Sequence, residues 1–249
     1  MSRYSRIEKV FAVMSGKGGV GKSTISALLA CELARKGKRV GIMDTDITGP
    51  SIPTMFGIEG ERPEVLNPGI FPVKTKTLGI EVMSINLILE RPDQPVIWRG
   101  PLLSKALQEL WEETVWNDPE VLILDVPPGT GDIPLTILQT IPLTGVVIVF
   151  SPQDMALLVV RKAIHMVEDL GKPIVGLVEN MSFILCPHCH GKIALFGEEK
   201  GHLVASRMSL PFLGSLPLDP ELAKHCDEGT IEEYENEALS SIVAKVLER

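Results

Sequence analysis

The stretch GKGGVGKST at residues 16–24 constrains this chain more than any other. It satisfies the pattern G-x-x-x-x-G-K-[ST] through Gly16, Gly21, Lys22 and Ser23, directly after the apolar run KVFAVMS and directly before a helical pattern. A strand, a glycine loop and a helix in that order define a phosphate-binding loop. The glycines allow backbone N–H groups to turn inward and approach phosphates closely, and the helix N-terminus adds favourable potential for an anion. The expected nucleotide contacts are therefore Gly16, Lys17, Gly18, Gly19, Val20, Gly21, Lys22, Ser23 and Thr24. Lys22 is expected to reach the β- and γ-phosphates, and the Ser23 hydroxyl to ligate Mg²⁺. Lys17, a second lysine directly after the first glycine, is not required by the pattern.

The rest of the chain supports an α/β fold. Val- and Ile-rich runs at Val10–Met14, Val40–Met43, Val121–Leu124, Val146–Phe150 and Ile174–Val178, with a weaker one at Pro211–Leu216, read as buried parallel strands. Helical patterns at Ser23–Arg35, Leu102–Trp116, Met155–Leu170 and Glu199–Met208 alternate with them. This predicts an open, mostly parallel sheet with helices on both faces. Residues 57–97 are rich in Gly and Pro and read as an insertion at the sheet edge, so residues 1–249 form a single domain. Leu239, Ile242, Val243, Val246 and Leu247 recur at helical spacing and predict a C-terminal helix with one buried face. Its other face lacks the Lys and Arg that a membrane-surface helix would carry.

Two further segments fall where ligands bind in such sheets, at the C-terminal ends of strands. IMDTDITGPS puts Asp44 and Asp46 just after the second strand, and LILDVPPGTGD puts Asp125 at the end of another. An aspartate after an apolar strand, followed by glycines, suits a group that holds hydrated Mg²⁺ and a loop that senses the γ-phosphate.

The formal charge of −8 argues against nucleic acid as a partner, since a duplex binder would carry a basic excess. No apolar run approaches a membrane span and the first residues hold no signal-peptide core, so the expected location is the cytoplasm, with no membrane partner. A disulfide framework is not expected there. Cys31 and Cys226 lie in or near helical patterns and read as packed small hydrophobes. Cys186 and Cys189 differ. They sit in CPHCHG, a Cys-x-x-Cys pair with an apolar flank on each side. Such a pair is a common half-site for a metal. One chain supplies two thiolates where an iron–sulfur cluster or many structural zincs want four, and a two-fold dimer would complete the set. A local zinc knuckle using His188 and His190 is an alternative, as is a pair that binds no metal.

The loop resembles the deviant Walker A motif, K-G-G-V-G-K-[ST], of a group of ATPases that includes cell-division positioning, plasmid-partition and nitrogenase-reductase proteins. That resemblance implies that Lys17 reaches across a homodimer to the partner's phosphates. A more specific resemblance runs over nearly the whole chain. GKGGVGKST, DTDITGPSIP, WRGP at 98–101, DVPPGTGD, NMSFILCPHCHGKIALFG and PLDPEL at 217–222 are similar, in order, to the Mrp/ApbC family of iron–sulfur cluster carrier ATPases. The resemblance implies that ATP is hydrolysed and that Cys186 and Cys189 of two chains bridge one [4Fe-4S] cluster, which passes to apoproteins. It implies that Asn180 and the loop near Pro217 and Asp219 contact adenine. Asp46 would position the attacking water, with Lys17 and Lys22 as the other catalytic residues, while Asp125 and Asp132 would bracket a second switch. Thr45 and Thr48 depart from the small or aromatic residues common in the family, and His190 stands where glycine is frequent. No N-terminal cysteine cluster is present, so a second cluster is not expected. The other readings kept open are a membrane- or DNA-associated partition ATPase and an ATPase with a structural zinc.

Overall fold

Alternation along the first strand sets up two cores. In β1 (Lys9–Ser15), Phe11 and Val13 pack into one hydrophobic cluster while Val10, Ala12 and Met14 pack into another. A strand buried on both faces needs this continuous apolar run, because helices cover each side of the sheet. The structure is a computed structural model that describes residues 3–47, 49–89, 100–153, 157–197 and 199–248. Along the chain, β1 is followed by α1 (Lys22–Arg35), β2 (Val40–Asp44), α2 (Ile52–Met55), β3 (Glu64–Leu66), β4 (Gly69–Phe71), β5 (Val73–Lys74) and β6 (Glu81–Ser84). Next come α3 (Gly100–Glu113), β7 (Val121–Asp125), α4 (Asp132–Thr140), β8 (Gly145–Phe150), α5 (Leu157–Asp169) and β9 (Ile174–Glu179). The chain continues with β10 (Ile184–Leu185), β11 (Lys192–Ile193), α6 (Gly201–Met208), β12 (Phe212–Ser215), α7 (Pro220–Asp227) and α8 (Glu237–Leu247).

Among the described residues the main sheet has the order β12-β9-β8-β1-β7-β2-β6-β5. Every pairing in it is parallel except β5 with β6. One cluster gathers α1, α2 and α8 against the sheet, and the other gathers α3, α4 and α5. The open, mostly parallel sheet expected from the sequence is present. The C-terminal helix buries Leu239, Ile242, Val243 and Val246, as its spacing predicted.

One reading is corrected. Residues 81–84 belong to the main sheet, pairing in parallel with β2 in register Asp44↔Ser84, and all four are buried. Ile80–Ile85 reads from the sequence as a short strand-like piece, but the segment is brief and contains a glutamate, so nothing local places it inside the main sheet. Glu81 is held by the Asn117 N–H at 3.0 Å and by Lys74 at 3.5 Å. The insertion proper is the β3–β4 hairpin, with β5 on the sheet edge. Helices α2 and α4 have no counterpart in the sequence patterns, and of α7 only the end near Cys226 is marked. Each carries a proline within its first turns, at Pro53, Pro134 or Pro220. Proline is tolerated there because those N–H groups have no intrahelical acceptor. Thr48, residues 90–97, Trp98 and Arg99 of WRGP, and the expected helix start at Met155 lie outside the described residues.

Glu232 ties the turn between β5 and β6 to the C-terminal third of the chain. Its buried carboxylate accepts from Thr75 Oγ1 at 2.6 Å and from the N–H groups of Leu78 and Thr77 at 2.9 and 3.1 Å. Glu232→Ala should strand these donors and cost about 1–3 kcal/mol. The cost should appear as a lower urea midpoint with an unchanged slope.

Candidate functional site: a nucleotide loop and a cysteine hairpin

The loop between β1 and α1 crowns the sheet at the C-terminal ends of β1, β7 and β2. No side chain caps α1 and no acidic residue of the helix lies in its first turn, so its N-terminal N–H groups and dipole face the loop uncapped. Gly21, the residue before the helix, has a left-handed φ of 77°, and a Cβ there would meet Asn180 Nδ2 at 2.2 Å. Only glycine satisfies both constraints.

Beneath the loop, Asp125 is fully buried and collects three donors. Lys22 Nζ and Ser26 Oγ each lie 2.6 Å from Oδ1, and Ser23 Oγ lies 2.6 Å from Oδ2. The backbone carbonyl of Asp125 receives both the N–H and the hydroxyl of Thr45, at 3.0 and 2.6 Å. Thr45, a departure from the family pattern, thus docks the end of β2 onto the end of β7. Ser26 has no place in the motif. It is found only because one turn of helix returns it to the side of Lys22, where its hydroxyl also bonds the Lys22 carbonyl at 3.0 Å.

Asp44 lies beside Asp125 in the strand register and is equally inaccessible. Its oxygens accept from the N–H groups of Asp46 at 3.0 Å and Ile52 at 3.3 Å. Burial, followed by the negative charge of Asp125, pushes the Asp44 carboxyl up to about 8 despite the opposing pull of Lys22. Two adjacent buried carboxylates with a serine hydroxyl form an all-oxygen set that suits Mg²⁺. Asp46 is half-buried at the turn after β2, with Oδ1 accepting from the Gly49 N–H at 3.2 Å. Lys17 is half-buried in the loop, its carbonyl receiving the Ser15 hydroxyl at 2.9 Å.

A cavity of about 240 Å³ opens beside the loop. Thr24, Asn180, Met181, Pro217, Asp219 and Cys226 contribute to its lining. The structure brings Asn180, Pro217 and Asp219 together next to Thr24. Two of these side chains already have partners. Asn180 Nδ2 donates to the Val20 carbonyl at 2.9 Å, gripping the loop itself. Asp219 caps α7 through the Glu221 N–H and accepts from the Tyr234 hydroxyl, each at 2.9 Å. Cys226 packs in part against the hydrophobic core, as the sequence implies. It is half-buried on this cavity wall, bonded to the Thr24 side chain, and burial raises its thiol above the ordinary range. Cys31 fits the packed reading: it is buried, and burial pushes its thiol up to about 12.

The cysteine pair sits in the hairpin of β10 and β11, between the end of β9 and α6. The turn is closed by the Cys186 N–H on the Gly191 carbonyl and the His190 N–H on the Cys186 carbonyl, both at 2.9 Å. Cys186 is held below the usual thiol range by the backbone N–H of His188, then by that of Cys189, then by the Cys189 thiol. Backbone donors aimed at sulfur favour the thiolate, the form that binds metal. His190 has a left-handed φ of 54°, which explains why glycine suits this position. Among the described residues no group of three or more His, Cys, Asp or Glu side chains is placed to hold a metal ion. His188 and His190 thus do not complete the four-ligand knuckle. Of the flanking apolar residues, Leu185, Ile193 and Leu195 are 45–47% exposed. Phe183 is not part of that patch. It is 9% exposed, with the Lys192 ammonium 4.1 Å above its ring.

Fold and loop together define a P-loop nucleotide-binding protein. A family profile described as "ParA: NUBPL iron-transfer P-loop NTPase" matches residues 6–249, and the chain belongs to this family. It is 42% identical over 240 residues to an iron-sulfur cluster carrier protein of Clostridium perfringens (strain 13 / Type A), covering 94% of this chain and 84% of that protein. It is 45% identical over 224 residues to the iron-sulfur cluster carrier protein of Aquifex aeolicus (strain VF5), covering 90% of this chain but 61% of the relative's length. Among solved structures, the nucleotide-binding protein of Archaeoglobus fulgidus in complex with ADP superposes with a TM-score of 0.84 at 43% identity, covering 93% and 90% of the two chains. The MinD cell division protein of Aquifex aeolicus shares the fold, with a TM-score of 0.66 at 18% identity over 96% of each chain.

The raised Asp44 carboxyl gives the nucleotide-free protein a distinctive pH response. The native state holds a proton that the unfolded chain releases near pH 4, so stability should fall as pH rises from about 4 to 8. Asp44→Asn should flatten that part of the curve, read as melting temperature against pH without Mg²⁺ or nucleotide.

Proposed function

We propose that the chain is a single-domain, Mg²⁺-dependent ATPase that carries an iron–sulfur cluster as cargo across a homodimer and delivers it to apoproteins in the cytoplasm. The observation that carries this reading is the pairing of a buried P-loop switch with an outward-facing Cys-x-x-Cys turn whose backbone donors favour the Cys186 thiolate. A partition ATPase would leave that turn without a role.

On the nucleotide side, Lys22 would exchange Asp125 for the β- and γ-phosphates. Ser26 would keep its bond to Asp125 as Lys22 leaves. Ser23 Oγ, Asp44 and Asp125 would hold Mg²⁺, which when bound neutralises phosphate charge. Asp46, just past the end of β2, would orient the attacking water. Lys17 would supply a cation to the partner's site, where charge develops in the transition state. On the cargo side, two thiolates per chain make half of a four-cysteine site, so a [4Fe-4S] cluster would lie on the two-fold axis. Leu185, Ile193 and Leu195 would then pack against their symmetry mates and shield it.

Lys22→Ala should abolish hydrolysis, whereas Lys17→Ala should keep nucleotide affinity and lose turnover. Nucleotide titration and steady-state rates separate the two, and equal loss of affinity in both variants would sink the trans role of Lys17.

Cys186→Ala or Cys189→Ala should lose the whole cluster while most basal ATPase survives, and Cys31→Ala should retain it. Iron and sulfide per dimer after anaerobic reconstitution, with sedimentation before and after, decide this. Stoichiometric zinc without sulfide, or a monomer holding a full cluster, would overturn the bridged carrier.

A further inference from the structure

The nucleotide cavity and the cysteine hairpin share a short length of backbone. Beyond the last paired residues of β9 and β12 the ladder continues into their loops: the Leu216 N–H donates to the Glu179 carbonyl and the Ser182 N–H to the Leu216 carbonyl, both at 2.9 Å. The Leu218 N–H then donates to the Phe183 carbonyl at 2.8 Å, one residue before β10 begins. The residues between these bonds, Met181 on one side and Pro217 on the other, line the cavity. Met181 is also the irregular point. It has a left-handed φ of 58°, unusual for a long side chain, and its Cε lies 3.4 Å from where a Gly21 Cβ would stand. Its neighbour Asn180 holds the Val20 carbonyl at 2.9 Å.

We infer that Met181 is a positioning residue through which an occupied nucleotide site sets the conformation of the cysteine hairpin. The inference rests on the reading of the cavity as the adenine site and deepens it by naming the joint. Phosphates drawn into the loop act on Val20 and Gly21, and so on Asn180 and Met181. A base in the cavity presses on Met181 and on the Pro217–Leu218 backbone. Both displacements meet at one strained residue, and the only covalent path onward runs through Ser182 and Phe183 into the Cys186 turn. Coupling of this kind is reciprocal in binding free energy, so whatever binds at the thiols and feels the nucleotide alters nucleotide affinity in turn.

The test uses the purified, cluster-free full chain with iodoacetamide, each cysteine read separately by peptide mass, with and without saturating Mg²⁺–ADP. Binding is verified by equilibrium dialysis. Cys226, on the cavity wall, reports occupancy of the base site, and buried Cys31 is the unreactive reference. ADP should protect Cys226 and change the Cys186 rate by about fivefold or more, the low end of typical coupling. The change should not depend on protein concentration. In Met181→Gly, which removes the Cε contact and relaxes the left-handed backbone, Cys226 should remain protected while Cys186 becomes indifferent to ADP. Met181→Asn, which accepts that backbone but lacks the contact, should behave likewise and serves if the glycine variant does not fold. Protection of Cys226 with an unmoved Cys186 in the native chain overturns the inference and leaves the base site intact. So does a native-like Cys186 response in both variants, or a response that scales with protein concentration and therefore belongs to dimer contact. If bound ADP leaves Cys226 unprotected, the base-site reading fails and the inference falls with it.

Discussion

The buried pair of Lys22 and Asp125 is the interaction on which the rest of the site depends. An ammonium and a carboxylate removed from water are costly unless geometry and additional hydrogen bonds compensate. Here the compensation comes from Ser23 and Ser26 on the same helix, which fill the remaining positions around the carboxylate. The arrangement needs the end of β7 directly below the first turn of α1, with the glycine loop folded tightly enough to bring them together. It also accounts for Asp44. With one anion already fixed beside it, a second carboxyl in the same dry pocket is driven toward its neutral form. The cluster is thus charge-balanced around one lysine.

The cysteine end follows a different physical logic. Its turn is exposed and is held by backbone hydrogen bonds instead of packing, and the Cys186 sulfur is tuned by N–H groups in place of buried charge. Stability there comes from the root of the hairpin, where Phe183 is buried beneath Lys192 and Lys192 reaches Glu199 at 3.1 Å. A hairpin with a packed root and an exposed tip leaves Cys189 accessible without making the tip part of the core. Leu185, Ile193 and Leu195 are exposed beside it.

What was legible in the sequence was whatever is local. The glycine loop announces itself because every group that must approach phosphate lies within nine consecutive residues, and Cys186 and Cys189 because one tight turn holds both. The apolar runs marked the strands because parallel strands covered on both faces tolerate little else. Residues that act by being folded onto these motifs carried no such mark. Ser26 is one serine among buried helix residues until Asp125 arrives opposite it. Cys226 reads as a small hydrophobe until α7 brings it to Thr24. Glu81–Ser84 reads as a strand-like piece, but its place inside the main sheet is set by β2 beside it.

The sequence by itself determined the fold class, the phosphate loop, the aspartates at strand ends and the cysteine turn, because backbone conformation and hydrophobic periodicity are written in near neighbours. Only the tertiary structure decided which aspartate pairs with Lys22, that Asp44 is pushed toward neutrality, that Phe183 is withdrawn from the exposed patch, and that Asn180 and Met181 reach the loop. Most of these depend on distances between residues tens to more than a hundred positions apart. Burial and charge act through such distances and have no signature in any single stretch of chain.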